Sequence, residues 1–364
     1  MVKLSNAIWF VVLLLGAVGC ASVPKYRISF ENGEYPACLK QINDTEKKAI
    51  EDQEGKDHVL VNIMAASCAV YAGDYKAADA HLGKATEVID TGIGENRGRA
   101  SLVLWESAKY FKGAIYERQA IYYYRGLINF MAGKYDKARA SFNNSLLTDK
   151  QTKEEAAQED NAATFYMLAQ TYKLLNDEQN ARIAIEKANE ASSGNPYLTE
   201  DHLQNDNLVI LIEKGGGPLK IKDSQYPQIS HLLPRPEPAV LANVFIDGES
   251  QGMASSLVNW YRQGQSEGLS EADKAQIGKA VAVQLFGNLA RAFTGEADTR
   301  VWDFIPDTIS VFSAKMEKGP HTITLKFPEK EGYQETHYYI GVPEAGVNFV
   351  LLRNRYLKHS TIKK

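Results

Sequence analysis

What this 364-residue sequence lacks narrows its function first. Its longest apolar run, Ile8 to Gly19, is well short of the roughly 20 residues that a membrane-crossing helix needs. Positive charge is not in excess: 41 lysines and arginines face 45 aspartates and glutamates, a net charge of −4. A nucleic-acid-binding footprint is therefore missing. The seven histidines never fall at HxxxH or HExxH spacing, which removes the usual helical zinc signature. No class A lactamase-type set of S-x-x-K, S-D-N and K-T-G is present. Gly215-Gly216-Gly217 is followed by Pro218 and a strand-like LKIK, not by Lys-Ser/Thr and a helix, so it reads as a turn and not a phosphate loop. The expectation is a protein that is not an enzyme and carries neither cofactor nor metal.

What is present begins at the N-terminus. Lys3 precedes the apolar run, which ends in small residues, the layout of a secretory signal peptide. Ala17-Val18-Gly19-Cys20 resembles the lipobox of bacterial lipoproteins, and the resemblance implies cleavage after residue 19 and lipidation of Cys20. Two or more acyl chains, each contributing about 0.8 kcal/mol per buried methylene, anchor a protein without a spanning helix. Ala21 and Ser22 follow the cysteine where an aspartate commonly marks inner-membrane retention. The expected location is the outer membrane, lipid-anchored, on the periplasmic face.

Only three cysteines occur, and Cys20 is assigned to the anchor. Cys38 and Cys68 remain, 30 residues apart. An oxidising compartment invites a disulfide between them, yet both sit among apolar and small residues where a free cysteine serves as a small hydrophobe. Both readings stay open. The length favours two domains: a helical unit over residues 20–200 and an α+β unit over 201–364.

Self-similarity supports the first. NGEYPACLKQI, AGDYKAADAHLGKA, AGKYDKARASFNNSL and LNDEQNARIAIEKANEA share a turn, a helix start, then a small residue followed four later by a large apolar one. The small residues Cys38, Ala78, Ala138 and Ala181 are spaced by 40, 60 and 43. These units resemble degenerate tetratricopeptide repeats, and the 60-residue step leaves room for an extra helix within RGRASLVLWESAKYFKG. In the best copy, Gly126 and Ala138 allow close helix approach, Tyr122, Tyr135 and Phe142 fill the space around them, and Gly133 suits a turn with positive φ. Asn176 takes the equivalent place in the next unit, which asparagine tolerates. An α-solenoid of about four hairpins follows, with a concave surface of the kind that grips another protein.

Beyond SSGNPY the pattern turns β-rich. NLVILIE is a buried-strand signal, YPQISHLLPRPEP an extended connector, and VLANVFIDG, TISVFSAKM, HTITLKF, THYYIGV and VNFVLLR read as strands of a mainly antiparallel sheet. A long helix is expected over Ser270–Phe293, its Ile277, Val281, Leu285, Leu289 and Phe293 forming a ridge toward the sheet. The basic residues from Arg353 to Lys364 read as a solvated, frayed tail.

Two segments concentrate chemistry. FKGAIYERQAIYYYRGL carries Tyr116, Glu117, Arg118, Tyr122 and Tyr123, and aromatic residues with arginine dominate interface hot spots, so these five are the candidate partner-binding patch. Inter-helix packing of the same tyrosines is the bland alternative. EADTRVWDFIP carries Asp298, Arg300 and Trp302, either a ligand site or a structural cluster in which Asp298 caps a turn, Arg300 pairs with a carboxylate and Trp302 is buried. Together the two segments resemble signatures of an uncharacterised family of bacterial exported lipoproteins with a tetratricopeptide-like N-terminal half and a C-terminal ADTRxW motif. That resemblance implies envelope work and no particular reaction. Its members are sometimes encoded beside lipoproteins resembling activators of penicillin-binding proteins.

The function expected from the sequence is a protein–protein interaction scaffold, serving peptidoglycan synthesis or an assembly or secretion complex. The competing expectation is an envelope enzyme or glycan-binding protein with its cleft between the two domains.

Overall fold

The computed structural model describes residues 23–91, 110–152, 160–223, 230–234, 241–266, 297–329, 332–342, 346–354 and 362–363. The leader, Cys20, the helix expected over Ser270–Phe293 and most of the segment expected to hold an extra helix lie outside the described residues. No helix among the described residues is long and apolar enough to cross a membrane.

Four helical hairpins follow one another: α1 (Lys25–Glu31) with α2 (Tyr35–Thr45), α4 (His58–Tyr71) with α5 (Tyr75–Thr91), α6 (Ile115–Met131) with α7 (Tyr135–Asp149), and α8 (Ala162–Leu174) with α9 (Glu178–Ala191). A short α3 (Lys47–Glu51) links the first two. The hairpins turn in the same way because each places one left-handed residue after its first helix: Gly33 (φ 76°), Gly73 (77°), Gly133 (70°) and Asn176 (58°). The next residue's N–H then bonds back to the helix, from Glu34 to Ser29, Asp74 to Ala69, Lys134 to Asn129 and Asp177 to Tyr172, at 2.8–2.9 Å. These bonds satisfy carbonyls that a helix end leaves orphaned. The aligned small residues Cys38, Ala78, Ala138 and Ala181 are all fully buried. Gly126 shows why size matters there, since a Cβ at that position would lie 2.5 Å from the Phe142 ring.

After the short α10 (Glu200–Asn205) come the strands β1 (Leu208–Lys214), β2 (Leu219–Lys222), β3 (Ser230–Leu233), β4 (Asn243–Ile246), β5 (Glu249–Met253) and β6 (Ser255–Asn259). Helix α11 (Trp260–Ser266), β7 (Thr308–Ala314), β8 (Gly319–Glu329), β9 (Gly332–Val342), β10 (Asn348–Asn354) and β11 (Ile362–Lys363) complete the described chain. Helices and sheets thus coexist, an α+β composition. The expected single sheet is corrected: among the described residues there are two larger sheets, ordered β10-β1-β7-β6 and β11-β9-β8-β4-β5, with a separate β2/β3 hairpin. β3 falls within the proline-rich stretch read as a connector. Most pairings are antiparallel, but β1 and β10 run parallel in the register Leu208↔Asn348.

β1 explains the layering. Side chains alternate across a strand, so Val209 and Leu211 enter the core shared with the helices while Leu208, Ile210 and Ile212 enter the core shared with the second sheet. β7 divides likewise, Ile309 and Val311 toward the helices and Phe312 away from them. A strand covered on both faces reads as a continuous apolar run, as NLVILIE does. The core of the helical part is therefore continuous with one face of the first sheet.

This roof sets the exposure of the helices. Every residue of α4 from His58 to Val70 and of α8 from Ala162 to Thr171 is buried. The second helices keep one open side: α9 buries only Ala181, Ala184, Ile185 and Ala188.

Candidate functional site

The two segments singled out in the sequence meet in space. Glu117 stands in the first turn of α6 and is 3% exposed. Its Oε2 accepts the Ala114 N–H at 2.7 Å, capping its own helix, and its Oε1 accepts the Trp302 N–H at 2.5 Å. Burial pushes the Glu117 carboxyl above its ordinary pKa, against the pull of those two N–H groups. One side chain thus ties both segments together.

Residues 298–305 thread between α1, α4, α6 and the turn after β1. Asp298 Oδ1 accepts the Arg300 N–H at 2.9 Å, a local Asx-type turn. The Arg300 guanidinium pairs with Asp298 at 2.6 Å and with Asp57 at 2.7 Å, and reaches the Lys56 carbonyl at 3.1 Å. Trp302 is 1% exposed; its indole N–H donates to Ser67 Oγ at 3.0 Å, and its ring packs edge-on to Tyr124 at 5.8 Å. Asp303 pairs with Arg27 at 2.7 Å, and Phe304 stacks on Phe30 at 3.8 Å. Gly217 closes the far side: its N–H donates to the Ile305 carbonyl at 2.6 Å, and a Cβ there would sit 2.7 Å from the Ile305 side chain. Asp298, Arg300 and Trp302 accordingly act as a structural clasp. A cavity of about 10 Å³ beside Trp302, lined by Ser67, Tyr71 and Tyr124 among others, has the size of one water molecule.

The expected partner-binding patch is corrected. Tyr116, Tyr122 and Tyr123 are buried with Glu117. The Tyr122 hydroxyl donates to Asp90, and Tyr123 packs against Tyr124, Phe142 and Trp260. Arg118 is half-exposed and donates to Gln151 at 3.1 Å. The reason is positional: α6 is the first helix of its hairpin, so the sheets cover the side that an isolated repeat would leave open. An aromatic and arginine-rich helix has the same composition whether its cover is another protein or its own chain.

A second buried constellation escaped the sequence reading. Glu213 on β1 is fully buried; it accepts the Tyr124 hydroxyl at 2.6 Å and faces the Arg353 guanidinium at 3.5 Å. Arg353 also donates to Tyr71 Oη at 3.0 Å and to the carbonyls of Gly215 and Phe304. Burial first, and the Glu213 charge second, push the Tyr124 phenol well above its usual pKa. Arg353 was expected in a solvated tail, but its side chain is 4% exposed. The signal was available in NLVILIE, since a glutamate closing a strand buried on both faces requires a partner.

Cys38 and Cys68 are joined by a disulfide, with Cα atoms 5.8 Å apart, linking α2 to α4. Among the described residues no group of three or more His, Cys, Asp and Glu side chains is placed to hold a metal ion.

No protein-family model and no curated protein matches the sequence. Among solved structures, the chain is similar to BtubC (BKLC) from P. vanneervenii, at 16% identity over 44% of this chain and 57% of that one, with a TM-score of 0.34. It is similar to MamA at 14% identity, over 46% and 74% of the two chains, with a TM-score of 0.33. A Podosopora anserina kinesin light chain protein with TPR-like repeats gives 13% identity, 46% and 71% coverage and a TM-score of 0.32. The chain spans little more than half the length of BtubC. The repeat reading rests on the equivalent turns and buried small residues described above, not on these likenesses.

Proposed function

We propose that the chain is a lipid-anchored scaffold of the bacterial envelope: a tetratricopeptide-like stack held to the outer membrane by Cys20, presenting its second helices to a protein partner in the periplasm. The observation that carries the reading is the difference between the helices of each hairpin. In the last three hairpins the first helices α4, α6 and α8 are buried along most of their length, and the second offer a row of polar helix faces, the layout of a docking module and not of a reaction chamber. The segment 298–305 fills the place where a catalytic cleft between the halves would lie, and its charged groups are paired within the chain.

The compartment is supported by the lipobox-like Ala17–Cys20 and by the Cys38–Cys68 disulfide, a bond that persists where thiols are not kept reduced. Service to peptidoglycan synthesis or to an assembly or secretion complex follows from the resemblance of the two signature segments to the exported lipoprotein family. The test is photocrosslinking in intact cells from the exposed faces of α5, α7 and α9, with labelled palmitate tracking the chain. Incorporation of label that Cys20→Ser abolishes, with one recurrent envelope protein crosslinked, is expected. A natural chain without label, or crosslinks to no recurrent protein, overturns the reading.

A further inference from the structure

Val23, three positions beyond Cys20, begins an exposed apolar edge. Val23 is 60% exposed and Ile28 50% exposed, and Pro24 between them is exposed as well. The Ile28 N–H points back to the Pro24 carbonyl at 3.4 Å, so these two side chains lie one turn apart on the same side of α1, with Val23 beside them. Lys25, also exposed, flanks the edge. The core does not use this side, since α1 packs through the opposite one, where Tyr26, Ser29 and Phe30 are buried.

α1 is held firmly enough to give that edge a fixed direction. Seven residues of helix do not persist alone in water, yet Phe30 stacks on Phe304 at 3.8 Å and packs edge-on to Tyr35 at 5.5 Å, and Arg27 pairs with Asp303 at 2.7 Å. These contacts fasten the helix to segment 298–305. The Cys38–Cys68 disulfide then ties the first hairpin to the second. The remaining hairpins pack in chain order, α5 on α6 and α7 on α8, so the exposed edge belongs to one end of the row and α9 to the other.

We infer that this edge of α1 is a second contact with the lipid bilayer, in which Val23, Pro24 and Ile28 enter the boundary between headgroups and acyl chains and orient the stack with its first hairpin against the membrane. The inference rests on the lipid anchor of the scaffold reading. Three residues of extended chain reach about 10 Å, so acyl chains on Cys20 hold Val23 within that distance of the lipid, and an interfacial helix buries its apolar side to a similar depth. Tethering makes the second contact intramolecular, so one too weak to hold by itself is populated. Two aliphatic side chains and a proline are then enough. Lys25 keeps its ammonium among the phosphates while its stem lies along the apolar edge. The later hairpins are thereby kept off the bilayer, with their second helices open to a partner.

The experiment uses the mature chain purified from membranes and reconstituted in vesicles of phosphatidylethanolamine and phosphatidylglycerol, part of whose acyl chains carry bromine. A bimane label on Ile28→Cys should lose most of its fluorescence to the bromines, and one on Leu147→Cys, in the third hairpin, should keep it. Ile28→Asp should release a label on Val23→Cys from the quencher while the chain still floats with the vesicles, because the acyl chains remain. An unquenched label at position 28 on a floating chain overturns the inference and leaves the anchor standing. Equal quenching at position 147 also overturns it, since the third hairpin then lies on the lipid. Quenching at position 28 that vanishes without phosphatidylglycerol, or in high salt, assigns the contact to charge and overturns the apolar edge. A natural chain that neither takes labelled palmitate nor floats overturns the anchor and the inference together.

Discussion

The inner and outer faces of the hairpin stack carry the same kinds of residue to opposite ends. On the inner face, Tyr123, Trp302 and Phe304 are buried, with their rings against Trp260, Tyr124 and Phe30, and even Glu117 is closed off. On the outer face, Leu147 and Ile183 stand in solvent, flanked by lysine and asparagine. The difference teaches that a repeat's hydrophobic pattern identifies what must be covered without saying by what. Where the chain supplies its own cover, as residues 298–305 do, aromatic and arginine residues become structure; where it does not, aliphatic side chains such as Leu147 and Ile183 stay in solvent.

The comparison can be broken at the clasp. Trp302→Ala removes a buried indole and the partner of Ser67, and should cost about 3–5 kcal/mol of stability in urea unfolding. Because the helical core is continuous with the first sheet, helix ellipticity and tyrosine environment should be lost in a single transition. Two transitions would show that the inner face is not one cooperative unit with the sheets.

Arg353→Leu tests the second constellation. It leaves Glu213 buried without its cation, which should cost about 3–5 kcal/mol, and adding Glu213→Leu should recover part of the loss. Equal stability of the single and double variants would mean that Arg353 is held by the carbonyls alone.

Acid sharpens the comparison from the inward side of α5. Burial, and then the Lys84 charge, push His81 down to about 4, while an unfolded histidine titrates near 6.5. The stability of keeping His81 neutral is present above pH 6.5 and is lost as pH falls toward 4, because the unfolded chain takes the proton that the folded chain refuses. The loss is about 3 kcal/mol at most. His81→Leu should flatten the urea midpoint's dependence over that window; an unchanged slope would assign it elsewhere, with His58, which burial also lowers, the next residue to replace.

The smallest effects separate two glycines of one hairpin. Gly126→Ala forces a methyl into the Phe142 ring and should cost about 1–3 kcal/mol. Gly133→Ala meets no atom within 4 Å and loses only the ease of a positive φ, about 1 kcal/mol. If the two cost the same in urea unfolding, close packing within the hairpin is not what selects glycine at position 126.

Much of this was readable beforehand. The four turns, including the asparagine at 176 that stands for a glycine, the small residues at the hairpin contacts and the doubly covered β1 were all legible, because each answers to a nearby steric or periodic requirement. The exposed edge strand β5 left no apolar alternation to read, since none of its residues is buried. The tyrosines of α6, open to either a partner or inter-helix packing, and the arginine at 353, read as part of a solvated tail, were not settled by local pattern because their contacts include residues distant in the sequence, Trp260 for Tyr123 and Tyr71 for Arg353.

The amino-acid order by itself determined where helices break, which residues must be small and which strand is buried on both sides, because those demands act over a few residues of backbone. Only the tertiary structure decided that Glu117 would bind the backbone of Trp302, 185 residues away, and that Glu213 would meet Arg353, 140 residues on. A buried charge takes whichever partner the fold delivers, and that delivery is a property of the whole chain.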